Sequence, residues 1–126
     1  MFADRTATAM LPAKDLARAR RWYAEKLGLE PSSDMGEMGA GYTLGGGLDV
    51  FLYPTPLAGT AEHTILSFSC TDLVADMAAL RARGVVFLDY DMPGIKTENG
   101  LARFGSVKNA WAKDSEGNIL GFVEGV

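Results

Sequence analysis

Two stretches of the chain carry an apolar stripe at the spacing of an α-helix. The stripe residues are Leu16, Ala19, Tyr23 and Leu27 in the first stretch and Leu73, Met77 and Leu80 in the second. Each stretch lies between an aspartate and a glycine, Asp15 with Gly28 and Asp72 with Gly84. An aspartate before a helix accepts hydrogen bonds from free backbone N–H groups, and a glycine takes the left-handed conformation that ends the helix. The pattern predicts two helices with these limits, each packed on a sheet through its stripe.

Strand patterns follow each of the two predicted helices. Residues 41–53 predict a hairpin whose turn lies at residues 45–47, and residues 109–124 predict a second hairpin whose turn lies at residues 115–118. The glycine run at 45–47 is not expected to bind phosphate, because it opens a strand and not a helix.

The repeat predicts an α+β fold made of two paired βαβββ modules in one domain that covers residues 1–126. Module 1 covers about residues 5–56 and module 2 about residues 62–126. Two twisted mixed sheets are expected to curve into a cup around one cavity, with the helices on the outer face. The segment at 91–106 has no counterpart in module 1 and is predicted to be an irregular lid.

Alternation along the strands divides the side chains between two faces of the sheets. The helix-facing set is predicted to contain Leu48, Val50, Leu52, Leu66, Phe68, Cys70, Leu120 and Phe122. The set on the opposite, cavity-lining face is predicted to contain Asp49, Phe51, Tyr53, His63, Ile65, Ser67, Ser69 and Gly121. A glycine inside a strand gives up packing, so Gly121 marks a bulge, a bend or a close approach of another group.

Composition and charge limit the classes of partner that the protein is expected to bind. The chain has 16 acidic and 12 basic side chains and a formal net charge of -4, which disfavours a nucleic-acid partner because phosphate binding needs a basic surface. Cys70 is the only cysteine, so an intrachain disulfide is excluded. Neither a membrane-spanning run nor a signal peptide is visible, and we expect a cytoplasmic protein with no membrane partner.

The segments LPAKDLARARRWYAEKLGLE (11–30) and AWAKDSEGNILGFVE (110–124) resemble the vicinal oxygen chelate superfamily. That superfamily includes glyoxalase I, extradiol dioxygenases, and bleomycin and fosfomycin resistance proteins. The resemblance implies paired βαβββ modules, commonly in a homodimer. In enzyme members it also implies a divalent metal held by one residue from each of four strands.

The positions that match those metal ligands hold the wrong residue types here. They are Thr8, Phe51, Ile65, with His63 two residues earlier, and Gly121. A divalent ion used as a Lewis acid generally needs at least three protein donors. The resemblance in fold is therefore not expected to extend to a metal centre or another cofactor, and the absent side chain of Gly121 is expected to enlarge the cavity.

Two residues with reactive side chains have a chemical and a structural interpretation. His63, the only histidine, is expected to form hydrogen bonds at the cavity rim, and it is the one candidate for a general base. It is also the centre of an alternative metal site with Asp49 and Glu124. Cys70 lies on the helix-facing side of its strand and is expected to pack in the core and not to act as a nucleophile.

Four aromatic residues lie on the predicted strands, Tyr42, Phe51, Tyr53 and Trp111. They are equally consistent with packing within the sheets and with binding of a flat or hydrophobic small molecule in the cavity. The predicted ligand-binding residues are Thr8, Met10, Tyr42, Phe51, Tyr53, His63, Ile65, Arg103, Trp111 and Gly121. Arg103, in the predicted lid, is expected to close over an anionic or carbonyl-bearing ligand.

Two functions remain open from the sequence. The first is a metal-independent binding protein, similar to the bleomycin-resistance branch, that sequesters a hydrophobic or aromatic ligand in a homodimer. The second is an enzyme of the superfamily, a lyase, isomerase or dioxygenase-like protein, with a displaced metal site or with His63 as general base. Metal stoichiometry, and whether a bound ligand leaves unchanged, distinguish the two.

Overall fold

The computed structural model describes residues 1–126 and contains two α-helices and ten strands. In chain order the elements are β1 (Thr8–Ala13), α1 (Leu16–Leu27), β2 (Ser33–Asp34), β3 (Ala40–Thr43), β4 (Asp49–Pro54), β5 (Thr64–Cys70), α2 (Leu73–Ala82), β6 (Asp91–Met92), β7 (Ile95–Glu98), β8 (Leu101–Phe104), β9 (Val107–Lys113) and β10 (Ile119–Glu124). Neither helix has the length and apolar character needed to cross a membrane.

The strands form two sheets, one from each half of the chain, and each half starts with a strand followed by a helix. The first sheet has the order β1-β4-β3-β2, and the second has the order β5-β10-β9-β8-β7-β6. In each sheet the strand before the helix pairs in parallel with the last strand of its half, β1 with β4 and β5 with β10. The other neighbours are antiparallel, so both sheets are mixed. The predicted α+β class with two βαβββ units is confirmed.

Both helices begin and end where the sequence predicted. The side chains of Asp15 and Asp72 each accept a hydrogen bond from a backbone N–H of the first turn, at 3.0 and 3.1 Å. Gly28 and Gly84 follow the helices with φ values of 68° and 90°. Only glycine adopts this left-handed conformation without steric cost, so these four residues fix the helix limits.

The prediction of an irregular lid at 91–106 is wrong, because the segment forms strands β6, β7 and β8. Asn99 and Gly100 join β7 to β8 and both have positive φ, 51° and 80°, as a tight hairpin turn with the twist of the strands requires. Gly94, at φ 84°, turns β6 into β7. These strands are short and rich in charged and turn residues, so their alternation was too weak to recognise. They widen the second sheet beyond the first.

One hydrophobic core runs through both sheets and contains 16 buried side chains. Its largest fully buried members are Tyr23, Leu52, Leu73 and Leu120. Leu66, Phe68 and Cys70 pack against it half-buried, in agreement with their predicted face. Leu48 is wrongly placed by the prediction, since it precedes β4 at the turn and is 44% exposed. The two modules therefore share a core through their helix-facing sides.

The turn between β9 and β10 contains three buried polar side chains, which belong to Asp114, Glu116 and Asn118. The carboxylate of Asp114 accepts hydrogen bonds from the backbone N–H groups of Glu116 and Asn118, at 2.8 and 2.9 Å, and from the hydroxyl of Tyr23, at 2.5 Å. Asn118 donates to the carbonyl oxygen of Pro12, at 2.7 Å. The turn of module 2 is thus tied to β1 and α1 of module 1.

Glu116 completes this junction at the start of α1. Its carboxylate accepts hydrogen bonds from the backbone N–H groups of Lys14 and Asp15, at 2.9 and 2.8 Å, and from the guanidinium of Arg18, at 2.8 Å. Burial by itself would raise the pKa of Glu116. The donors of Arg18, Asp15 and Ser115 outweigh burial and lower the pKa to about 2. The carboxylate is therefore held ionised in a fully buried position.

Candidate ligand-binding site

Trp111 lies on the face of the second sheet that points away from α2. It pairs with Gly121 on β10, while its neighbours Ala110 and Ala112 point into the core. Its indole N–H donates to the hydroxyl of Thr64, at 3.1 Å. The ring of Tyr90 meets it edge-on, with centroids 5.3 Å apart. Trp111 is thus fixed on this face by one hydrogen bond and one aromatic contact.

Gly121 does not enlarge a cavity, contrary to the prediction. It lies beneath the side chains of β5, and a Cβ atom built on it would approach the Thr64 methyl carbon to 3.2 Å and the Ser67 hydroxyl oxygen to 3.1 Å. The space that its missing side chain leaves is occupied by these neighbours. Gly121 is an example of the close approach that a glycine inside a strand permits.

A register shift in β5 changes the faces expected for Ile65 and Thr64. Ile119 of β10 pairs with Thr64, and Leu120 pairs with Leu66, so Ile65 has no partner in this register. A bulge of this kind interrupts the alternation of faces. Ile65 is half-buried and packs against the hydrophobic core, whereas Thr64 contacts Trp111. The sequence placed Ile65 on the ligand-binding face, and Thr64 has that place instead.

His63 is exposed at the start of β5. Its Nδ1 atom lies 3.0 Å from the carbonyl oxygen of Thr64, and the side chain has no other hydrogen-bond partner in the structure. No carboxylate orients the imidazole ring, so the arrangement lacks the second group that usually positions a catalytic histidine.

The first sheet presents a second group of predicted residues on the face opposite α1. Met10 pairs with Phe51 and Thr8 pairs with Asp49 across the parallel strands β1 and β4. Met10 is 56% exposed, and Phe51 and Tyr53 are half-buried. The Phe51 ring lies over the glycines of the adjacent chain segment, where a Cβ on Gly39 would come within 2.9 Å of it. Met10, Phe51 and Tyr53 give this face an accessible apolar and aromatic part, and Thr8 and Asp49 are polar residues of the same face.

Tyr42 is misplaced by the prediction, since it belongs to the core. It pairs with Val50, is 4% exposed and lies in the same cluster as Leu11 and Tyr23. Its hydroxyl oxygen is buried without a hydrogen-bond partner. Burial raises the pKa of Tyr42 above its ordinary value, so the hydroxyl stays protonated.

We expect the substitution Tyr42→Phe to leave the free energy of unfolding unchanged or to raise it by about 1 kcal/mol. A buried hydroxyl without a partner costs its desolvation and gives back no hydrogen bond, and phenylalanine has the same shape. Urea denaturation of both proteins measures the difference. A loss of more than about 1 kcal/mol would mean that the hydroxyl has a partner, such as a buried water molecule.

Arg103 lies on the helix side of the second sheet and not on the predicted ligand-binding face. It pairs with Lys108, which forms an ion pair with Glu124 at 3.4 Å. Glu124 in turn accepts a hydrogen bond from the backbone N–H of Leu73 at the start of α2, at 2.8 Å. The sequence analysis did not predict the side on which Arg103 lies, because it treated residues 91–106 as an irregular lid. Alternation of faces was therefore not applied to Arg103.

The four metal-ligand positions of the superfamily do not fit a divalent ion here. Phe51 and Ile65 offer no donor atom, Gly121 is covered by Thr64 and Ser67, and Thr8 offers one hydroxyl. The alternative cluster fails as well, since Glu124 is engaged at the start of α2. No group of three His, Cys, Asp or Glu side chains converges in a way that suits a metal.

Cys70 behaves as the sequence predicted. Its side chain packs against the core, and burial, followed by the neighbouring Asp76, raises the pKa of the thiol to about 11. A thiol with such a pKa is a poor nucleophile near neutral pH.

The predicted site residues thus form two separate groups on the faces of the two sheets opposite the helices. No hydrogen bond or aromatic contact connects Met10, Phe51 and Tyr53 with Trp111 and Thr64. None of the five main cavities of the chain is lined by Met10, Phe51, Tyr53 or Trp111. Both faces are open in the single chain, and these four side chains do not meet in any of those five cavities.

Comparison with solved structures finds the same fold in proteins that have different activities. The chain is similar to the antibiotic-binding protein TnmS3 from Streptomyces sp. CB03234, with 21% identity, 98% of each chain covered and a TM-score of 0.67. It is similar to the fosfomycin resistance protein FosX from Listeria monocytogenes, with 12% identity, coverage of 96% of this chain and 93% of that one, and a TM-score of 0.71. It is also similar to a lactoylglutathione lyase from Agrobacterium tumefaciens, with 16% identity, coverage of 98% and 96%, and a TM-score of 0.71.

The sequence comparison gives the family. No curated protein matches the sequence significantly. The family model of the Glyoxalase/Bleomycin resistance protein/Dioxygenase superfamily matches residues 5–120, almost the whole chain, and agrees with the fold. The chain therefore belongs to the glyoxalase/bleomycin resistance protein/dioxygenase superfamily.

Proposed function

We propose that the protein is a metal-independent binding protein that sequesters a hydrophobic or aromatic small molecule. The observation that carries the proposal is the accessible cluster of Met10, Phe51 and Tyr53 on the face of the first sheet opposite α1. Exposed aromatic side chains on a rigid sheet supply contact area at a low entropic cost. A similar fold in an antibiotic-binding protein supports the same function.

The proposal includes a homodimer in the cytoplasm. Both faces are open in one chain, and apolar patches of this kind on soluble proteins commonly serve for binding of a partner or a ligand. A second copy would cover the exposed face and would leave a ligand enclosed between two sheets. The enzyme alternative has less support, because His63 is exposed and lacks an orienting partner.

Binding of N-phenyl-1-naphthylamine, a neutral aromatic dye, tests the ligand site. We expect Phe51→Ala to weaken binding about tenfold, since truncation of a central aromatic contact commonly costs at least 1.4 kcal/mol. Phe2→Ala is the matched control, because Phe2 is 73% exposed and lies before the first strand. Equal dye affinity in the wild-type and Phe51→Ala proteins would contradict the proposed site.

Native mass spectrometry tests the metal and the dimer in one measurement. The protein is purified without chelator and examined before and after addition of Zn²⁺, Ni²⁺ and Mn²⁺. We expect a dimer without stoichiometric metal. One bound metal ion per chain would contradict metal independence, and a monomer at micromolar concentration would contradict the enclosed site.

A further inference from the structure

The second sheet is wider than the single helix that covers it. Helix α2 packs over β10 and neighbouring strands, while β7 and β8 extend the sheet beyond the helix. A groove of about 510 Å³ lies between α2 and these added strands. Its lining residues are Val74, Met77, Arg81, Lys96, Glu98, Asn99, Leu101 and Arg103. It lies on the helix side of the sheet, opposite the face that carries Trp111.

The groove is basic although the chain is acidic. Arg81, Lys96 and Arg103 line it together with one acidic residue, Glu98, whereas the whole chain has a formal net charge of -4. None of the three cations takes part in an ion pair, since the salt bridges of the chain join other residues. Lys96 and Arg103 are both exposed. The groove therefore has an excess of positive charge, which its one lining carboxylate, Glu98, and the neighbouring carboxylates of Glu124 and Asp89 offset only in part.

The closed end of the groove is rigid. The guanidinium of Arg81 stacks on the Phe87 ring, 5.1 Å from its centroid, and donates to the carbonyl oxygen of Asn99. The adjacent Gly100 is closely packed, since a Cβ built on it would be 2.7 Å from the Cβ of Phe87 and 3.3 Å from the guanidinium of Arg81 on α2. Arg81 thus holds the β7–β8 turn, and Lys96 and Arg103 remain free for a ligand.

An apolar strip runs beside the cations. Met77 is almost fully buried, Leu101 is half-buried, and Val74 is 51% exposed although it lies on a helix. The volume of the groove falls within the range of small-molecule sites. A charged group beside an apolar strip selects a ligand with both characters.

We propose that this groove binds a small amphipathic anion. The acidic group pairs with Lys96 and Arg103, and the apolar part lies along Val74, Met77 and Leu101. This second site goes beyond the proposed function, since it lies on the helix side of the second sheet and uses none of the first-sheet residues that carry that proposal.

The proposal is tested by titration of the protein with decanoate below its micellar concentration, with the methyl NMR signals of the protein as the readout. We expect saturable shifts of the Val74, Met77 and Leu101 methyl signals, and about tenfold weaker binding by the double variant Lys96→Gln/Arg103→Gln, because charge-assisted pairs are lost. The matched control is Arg21→Gln, which removes a positive charge from an exposed position on α1. Decanoate is expected to bind this control as tightly as wild type.

Three results would overturn the proposal. They are equal affinity for neutral decanol and decanoate, equal affinity of the double variant and wild type for decanoate, and shifts confined to the methyl groups of Met10, beside Phe51, and Thr64, beside Trp111, instead of the groove. Failure of the proposed function is detected separately, because dye binding reports the Phe51 face of the first sheet and does not involve Lys96 or Arg103. Thermal unfolding of the double variant verifies that it is folded.

Discussion

Replacement of Glu116 by alanine is expected to lower the free energy of unfolding by about 3 kcal/mol, because it removes the acceptor at the junction of the two modules. The side chain of Glu116 is fully buried. Its loss leaves the backbone N–H groups of Lys14 and Asp15 without their acceptor. Arg18 is 46% exposed and regains water, so its share of the cost is smaller.

The variant Glu116→Gln separates the charge from the hydrogen bonds. Glutamine keeps the size of the side chain and one acceptor oxygen, so we expect a smaller loss than with alanine. Urea denaturation at pH 7 measures both variants against wild type. A loss below about 1 kcal/mol for Glu116→Ala would show that water replaces the carboxylate and that the junction adds little stability.

Low pH is expected to remove the stabilisation that the ionised carboxylate of Glu116 supplies. The folded protein holds the pKa of Glu116 at about 2, below its ordinary value of 4.5. A carboxyl whose pKa is depressed on folding stabilises the protein above its unfolded pKa and loses that effect as the pH falls toward the folded pKa. The stability difference between wild type and Glu116→Gln should therefore be constant above about pH 4.5 and decrease between pH 4.5 and 2. A difference that stays constant over that interval would contradict the depressed pKa.

The regular parts of the fold were predictable because their signals are local. The stripes that include Tyr23 and Met77 and the caps at Asp15 and Gly28 depend on residues within a few turns of each other. The repeat of these signals was enough to predict two βαβββ modules. Strands β6, β7 and β8 were missed because they are stabilised by pairing along an already formed sheet, which no short window of sequence contains.

The candidate site was predicted only where simple alternation holds. Met10, Phe51, Tyr53 and Trp111 are on the expected faces. The prediction for Ile65 was wrong because a register shift interrupts the alternation of faces. Tyr42 was included for its aromatic ring, without an assigned face. Its pairing with the buried Val50 would have indicated the core. Tyr90 and Thr64 were not predicted, since their contacts with Trp111 join residues far apart in sequence. Asn99 and Gly100 form the turn of the hairpin that lines the groove, and an Asn-Gly pair is a sequence signal for such a turn.

Substitution of Gly100 by alanine is the second change with a large expected effect, a loss of about 3 kcal/mol. Gly100 has φ 80°, where a residue with a Cβ atom is strained by about 1–2 kcal/mol. The added methyl group would also lie 2.7 Å from the Cβ of Phe87 and 3.3 Å from the guanidinium of Arg81. Overpacking of this kind adds about 1–3 kcal/mol. Relief of the clash requires the β7–β8 turn to move away from Phe87 and from Arg81 on α2.

Gly94→Ala is the matched control, because Gly94 also turns a hairpin of the same sheet with φ 84° but has no atom within 4 Å of the added Cβ. We expect this control to lose only the conformational part, about 1–2 kcal/mol. Urea denaturation of the two variants isolates the packing of the turn against α2 as their difference. Equal losses would show that the turn is not held against the helix, and the rigid end of the basic groove would then have no support. A larger loss for Gly100→Ala, with altered methyl signals of Met77, means that the same contact fixes the hairpin and shapes the groove.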